Sequence, residues 1–115
     1  MPNLVVEYSS SVDERVNTQG LLEDLHQVLI ESGLFEVDSI KSRAQRYHSW
    51  LIGEKEDSED FIHLNFEMLS GRDEEQKREL GRELMSILEE QASTVYSLTI
   101  NIRDMDKECF IKVIN

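Results

Sequence analysis

Apolar positions return along this chain with two periods, one helical and one extended. Leu21, Leu22, Leu25, Val28 and Leu29 recur every three or four residues, with Glu23, Asp24 and Gln27 between them. That spacing predicts an amphipathic helix. Asn17 or Thr18 can cap its start, and Gly33 stands where a left-handed C-terminal residue is wanted. Gly20, in its first turn, works slightly against it. A second stripe, Leu80, Leu84, Ile87 and Leu88, leaves Lys77, Arg78, Arg82 and Glu83 largely on the wet face. Asp73 followed by Gln76 is a capping-box-like opening, and Glu74 and Glu75 complement the helix dipole there.

The remaining apolar stretches are extended. Residues 3 to 8 are short and rich in β-formers, and residues 40 to 52 are a mixed stretch that suits a strand with a bend. In Phe61–Leu69 the residues Ile62, Leu64, Phe66 and Met68 point one way, and Phe61, His63, Asn65 and Glu67 the other. Leu98, Ile100 and Ile102 alternate again, and residues 110 to 114 are expected to pair as a short terminal strand. Between residues 54 and 60 six of seven side chains are charged, which predicts a solvated loop.

The order is one β-α-β unit written twice, in pseudo-repeats 2–53 and 61–115 of a single domain spanning residues 1–115. The expected fold class is α/β (α+β), a mixed four-stranded sheet carrying both helices on one face, as right-handed crossovers require. The helix-free face still needs cover. On a chain of 115 residues only other subunits supply it, so self-association is expected.

Composition narrows the function classes. With 39% hydrophobic and 31% charged residues the chain reads as globular. No signal-peptide pattern or membrane-length apolar run is evident, and the lone Cys109 permits no internal disulfide, so a cytoplasmic location is expected. A net charge of -12 argues against nucleic acid and anionic membranes as partners. It also repels small anions unless a site concentrates positive charge of its own.

Pro2 is the only proline and follows the initiator methionine. A small second residue permits removal of Met1, which leaves a secondary amine fixed by its ring. An ordinary α-amino group titrates near ~7.7–8.0, and burial or nearby cations lower it, so Pro2 is a candidate general base near neutral pH. While Met1 stays attached, the same nitrogen is an amide with no basic lone pair. Most Met-Pro openings carry no chemistry; the apolar run Leu4, Val5, Val6 favours one that does, because a core strand holds Pro2 inside.

Several segments, in order, carry a resemblance: Met1 to Tyr8, then Gly33, Leu34 and Phe35, then Ile40, Lys41, Ser42, Arg43 and Ala44, then Trp50. Phe61, Ile62, His63 and Leu64 continue it, and Gly71 with Arg72 precedes the second helix. Together they resemble the 5-carboxymethyl-2-hydroxymuconate isomerase family of the tautomerase superfamily, over nearly the whole chain. The resemblance implies a homotrimer with Pro2 at the base of a pocket near subunit boundaries. It implies proton transfer that ketonises a 2-hydroxy-dienoate carboxylate, with no metal or organic cofactor. By position Arg43 and Arg72 match arginines facing the site, and Trp50 a wall of it. Arginine suits the role, since a guanidinium holds a carboxylate bidentately and stabilises a developing enolate oxygen. Read without the resemblance, Arg43 is a solvated strand residue and Arg72 a loop charge drawn to Asp73 or Glu75.

His26, His48 and His63 lack metal-like spacing, His26 taking a surface position on the first helix. His63, Asn65 and Glu67 share a strand face that lines a pocket, meets solvent or meets a subunit, and Cys109 reads as a packing residue. The acidic loop and the stretch after Arg103 depart from the family pattern, which bears on substrate identity. Two other functions fit these residues. One is a related tautomerase acting on a different 2-hydroxy-dienoate or a phenylpyruvate-like substrate; the other is a non-catalytic trimeric binding protein of the same fold.

Overall fold

Strict alternation on two strands builds the centre of the molecule. A computed structural model describes residues 1–55 and 59–115. Strands β1 (Asn3–Ser9) and β3 (Phe61–Leu69) lie side by side and antiparallel, Val6 facing Leu64. Leu4, Val6 and Tyr8 of β1 and Ile62, Leu64, Phe66 and Met68 of β3 all turn to one side and are buried. Strand β2 (Lys41–Tyr47) runs parallel to β1, and strand β4 (Ser97–Met105) runs parallel to β3. The sheet order is therefore β2-β1-β3-β4, two parallel pairs joined along an antiparallel seam.

Each parallel pair needs a crossover, and the two helices provide them. Helix α1 (Thr18–Glu31) buries Leu21, Leu25 and Leu29; helix α2 (Glu74–Gln91) buries Leu80, Leu84 and Leu88. These six leucines join one core with the inward residues of β1 and β3, so both helices cover the same face. Each fully buried leucine contributes about 1.5–3 kcal/mol of transfer free energy. The predicted caps are present: Asn17 accepts from the Gly20 amide, and Asp73 and Gln76 form a reciprocal capping box. Gly33 has φ 72° at the turn after α1, as its position demanded. Among the described residues no helix is long and apolar enough to cross a membrane.

Within residues 40 to 52 the chain forms one strand, Lys41–Tyr47, followed by a bend at His48. Three expectations need correction. Residues 110 to 114 form no strand: Asp106 caps a short turn, Lys107–Cys109, that leads the chain off the end of β4. Ile111, Val113 and Ile114 are left 88, 76 and 73% exposed. Cys109 is exposed, not packed. Most of the acidic loop is solvent-facing where described, and Glu56, Asp57 and Ser58 lie outside the described residues, but Asp60 is only 4% exposed. It accepts hydrogen bonds from Ser9, Ser11 and Arg15, and its carbonyl accepts from the Ser97 amide. Burial pushes the Asp60 carboxyl up, but the donations from Ser11, Ser9 and Arg15 outweigh it and hold the group below the ordinary aspartate value.

The helix-free face is polar and internally bonded. Tyr47 Oη donates to Glu7 Oε2 at 2.8 Å, Asn65 Nδ2 to Glu7 Oε1 at 3.4 Å, and His63 bridges Asn65 Oδ1 (3.2 Å) and Thr99 Oγ1 (2.5 Å). This chain of side chains touches all four strands. The bond to Glu7 also holds the Tyr47 phenol above its ordinary pKa.

Candidate active site

The beginning of β1 is where the two termini, the β3–α2 turn and the α1–β2 connection meet. Pro2 is fully buried, and its carbonyl accepts from the Lys41 amide at 3.1 Å, which locks the chain start onto the first residue of β2. Beside it lies a pocket of about 280 Å³ lined by Met1, Phe35, Glu36, Arg72, Phe110 and Lys112, with Leu34, Ser39 and Leu69 completing the wall.

Arg72 is held from three sides. Its guanidinium lies 4.9 Å from the Phe35 ring centroid, and Phe35 in turn packs edge-on against the buried Phe66, centroids 5.8 Å apart. Nη2 donates to the Leu34 carbonyl at 2.5 Å and Nη1 to the Leu69 carbonyl at 3.5 Å. The Phe35 ring, the Leu34 carbonyl in the α1–β2 connection and the Leu69 carbonyl at the end of β3 fix the guanidinium. Gly71 makes this possible. Its φ of 126° suits glycine alone, and a Cβ there would meet the Lys107 ammonium at 2.9 Å. The alternative reading of Arg72 as a loop charge drawn to Asp73 or Glu75 is not what the structure shows, since Glu75 pairs with Arg78 and Arg82 and Arg72 bonds the Leu34 and Leu69 carbonyls.

The amine at the head of the pocket belongs to Met1, one residue ahead of the Pro2 amide. Burial first, then the charges of Lys112, Arg72 and Lys41, hold this ammonium below its ordinary pKa against the opposing pull of Glu36. Lys41 Nζ also donates to the Met1 sulfur at 3.0 Å. Lys41, Arg72, Lys107 and Lys112 thus gather four of the chain's twelve basic side chains at one end of an acidic protein. That is the local concentration of positive charge an anion-binding site on this chain needs.

Of the residues singled out from sequence, Arg72 lines the pocket together with Met1, the neighbour of Pro2, whereas Arg43 and Trp50 are not part of its lining. Arg43 pairs with Val5 on the outer strand β2, exposed and on the helix-free face. Trp50 follows the end of β2 that pairs with Ser9, at the opposite end of the sheet from Pro2, and its indole donates to the Glu59 carbonyl at 2.7 Å. His26 is half-buried, its Nδ1 2.6 Å from Ser42 Oγ. Sequence reasoning passed over Lys41 and Lys112. The parallel register of β1 and β2, which sets Lys41 opposite Asn3, was the signal for the first; the second had none, because the terminal segment follows no periodic element.

A doubled β-α-β sheet with a buried amino-terminal proline and a cation-lined pocket beside it defines a protein of the tautomerase fold. The comparisons make the assignment specific. The chain belongs to the 5-carboxymethyl-2-hydroxymuconate isomerase family, whose profile matches residues 2–115, and its activity class is that of an isomerase. A 5-carboxymethyl-2-hydroxymuconate Delta-isomerase of Escherichia coli is 24% identical over 88 residues, 76% of this chain and 70% of the relative. The crystal structure of a 5-carboxymethyl-2-hydroxymuconate isomerase from Deinococcus radiodurans R1 superposes with a TM-score of 0.89 at 28% identity, covering 99% of this chain and 90% of that one. A fused 4-OT described as a symmetric trimer shares the fold at a TM-score of 0.72 and 13% identity, over 94% of this chain and 91% of its own.

Proposed function

We propose that the chain, once Met1 is removed, is a cofactor-independent tautomerase that ketonises a 2-hydroxy-dienoate carboxylate, with the Pro2 amine as general base. The observation that carries this reading is the amino terminus seated in the same pocket as Arg72, its ammonium depressed by burial and by three cations. Loss of Met1 moves the free amine one residue inward, onto a ring that β1 holds rigidly. In its neutral form that nitrogen takes the proton from the 2-hydroxyl of the dienol. It then returns a proton to the conjugated carbon. Arg72, always charged and held in one plane by Phe35, takes the substrate carboxylate and the negative charge that develops on the dienolate oxygen.

Arg43, exposed on the helix-free face of β2, and Trp50, beyond the end of β2, do not line this pocket within one chain, so we assign them to the site across a subunit boundary. A homotrimer supported by the uncovered helix-free face, the exposed apolar tail and the trimeric relative provides that boundary. The family name points to aromatic catabolism as the setting, and the single cysteine fits the cytoplasm.

The test combines intact mass of the protein from its native host with ketonisation of 2-hydroxymuconate. Loss of the Met1 mass together with turnover supports the reading, and Pro2→Ala should then lower kcat by about 10²–10⁴ without dissociating the assembly. Retained Met1 with no turnover would mean that the fold serves binding and not catalysis. Turnover unchanged in Pro2→Ala removes Pro2 from the mechanism.

A further inference from the structure

Between α1 and α2 lies a groove of about 730 Å³, more than twice the size of the pocket beside Met1, lined by the two helices and the turn after α1. Its floor is apolar: Val28, Leu34 and Ile87 are half-buried there, beside the buried Leu80. Its rim is acidic. Glu31 comes from α1, Glu75, Glu79 and Glu83 come from α2, and no basic side chain is in the lining. The three α2 glutamates stand four residues apart, so the helix carries two like-charge pairs in succession, an arrangement that weakens it. Arg82 relieves part of this by pairing with Glu75 and Glu79, and Arg78 by pairing with Glu75. Glu31 and Glu83 form no ion pair among the described residues, Glu31 only accepting from Gln27 at 3.1 Å. The carboxyl end of α1 adds to the negative field. Its last turn has no basic side chain, so the partial negative charge of the helix end is left unbalanced beside Glu31 and Ser32.

We propose that this groove is a docking site for a cationic amphipathic helix of a partner protein. The apolar ridge of that helix lies on Val28, Leu34 and Ile87, and its lysines or arginines reach the acids of both banks. Length agrees. From Glu75 to Ile87 α2 spans about 18 Å at roughly 1.5 Å per residue, which a partner helix of about 12–14 residues matches. Charge decides among the occupants. A second copy of this chain would bring its own acidic rim to a molecule of net charge -12. An acidic or purely apolar segment would leave Glu31 and Glu83 without a counter-charge. The groove shares only Leu34 with the pocket beside Met1, so docking there stands apart from the tautomerase reading.

The probe is a fluorescently labelled amphipathic leucine–lysine peptide of about 14 residues, titrated with the full chain and read by anisotropy. A leucine–lysine peptide of the same composition in scrambled order, and a leucine–glutamate peptide of the same pattern, are the controls. The patterned cationic peptide is expected to bind, more weakly as salt rises, and to exceed both controls by about tenfold or more in affinity. Glu31→Gln with Glu83→Gln should weaken it about threefold to tenfold, the range for two exposed charge pairs. Glu14→Gln with Glu108→Gln removes the same charge from exposed positions outside the groove, and should change binding by less than about twofold. No binding, equal binding of the scrambled peptide, or equal loss in the two double variants overturns the proposal. So does sedimentation in which the peptide competes with self-association of the chain, since a second copy would then be the occupant of the groove.

Discussion

Replacing Asp60 tests the account of how the loop preceding β3 is anchored. Its carboxylate is 4% exposed and accepts from two serine hydroxyls and the Arg15 guanidinium, which is itself 42% exposed. Hydrogen bonds to a buried charged acceptor contribute about 1.5–3 kcal/mol each, while the half-solvated arginine adds at most about 1 kcal/mol. Asp60→Ala should therefore cost about 3–5 kcal/mol, and Asp60→Asn about half, because the amide oxygen keeps the serine donors. At roughly 4 °C per kcal/mol for a chain of this size, the alanine variant should melt roughly 12–20 °C lower. The pH dependence has a fixed sign. The folded-state pKa of Asp60 lies below its unfolded value, so its contribution is complete above about pH 4 and is lost as pH falls through the folded value. Thermal melts of wild type and variant at pH 7 and in acid should converge as pH falls. Asp13, depressed by the Thr18 hydroxyl and by Arg46 against a smaller effect of burial, steepens the acid limb of both proteins equally and cancels in the difference. A loss under about 4 °C at pH 7, or a gap that survives below the carboxylate range, refutes the reasoning.

Three further outcomes are expected. Arg72→Lys keeps the charge but cannot stack on Phe35 or span both carbonyls, so kcat/KM for a 2-hydroxy-dienoate should fall about tenfold or more, with the melting temperature moving only a few degrees. Gly71→Ala forces a side chain into φ 126° and against Lys107; about 1–3 kcal/mol of stability should be lost, read by urea unfolding at constant m-value. Asp73→Ala removes half of the capping box and should cost about 1 kcal/mol, visible as a small loss of melting temperature with turnover unaffected.

Periodicity read the fold best where an element buries one face, as β1, β3 and both helices do, whereas β2 and β4 bury no residue fully. The inward residues of Phe61–Leu69 and most of both helix stripes are core residues, while Leu22, Val28 and Ile87 are only partly buried beside them. Val12 and Val16 are equally buried, yet they went unread, because the short turn Ser10–Glu14 has no repeating period to announce them. Asp60 was misread because a charge run looks the same whether its last carboxylate meets water or Ser9, Ser11 and Arg15. Pro2 stood out as a candidate base from its position alone, but Arg72 stood out only through the family resemblance, since nothing local distinguishes it from Arg78 or Arg82. The pocket assembles Phe35, Arg72 and Lys112 from three remote connections, and such convergence leaves no mark in any single stretch of sequence. Residues 110 to 114 are rich in β-formers but pair with no described strand, although β2 and β4 both leave an open edge, and propensity alone does not supply a partner.

Both chain ends open into one pocket, Met1 at its head and Lys112 in its wall. A peptide joined ahead of Pro2 would turn the proposed base into an amide, and one joined after Asn115 would pull on the segment that carries Lys112. Protein engineers therefore have no neutral end at which to place an affinity handle, a fluorophore or a fusion partner. The same convergence offers a probe: a ligand that fills the pocket ties down both termini at once, so amide exchange at residues 3 and 112 should slow together when it binds.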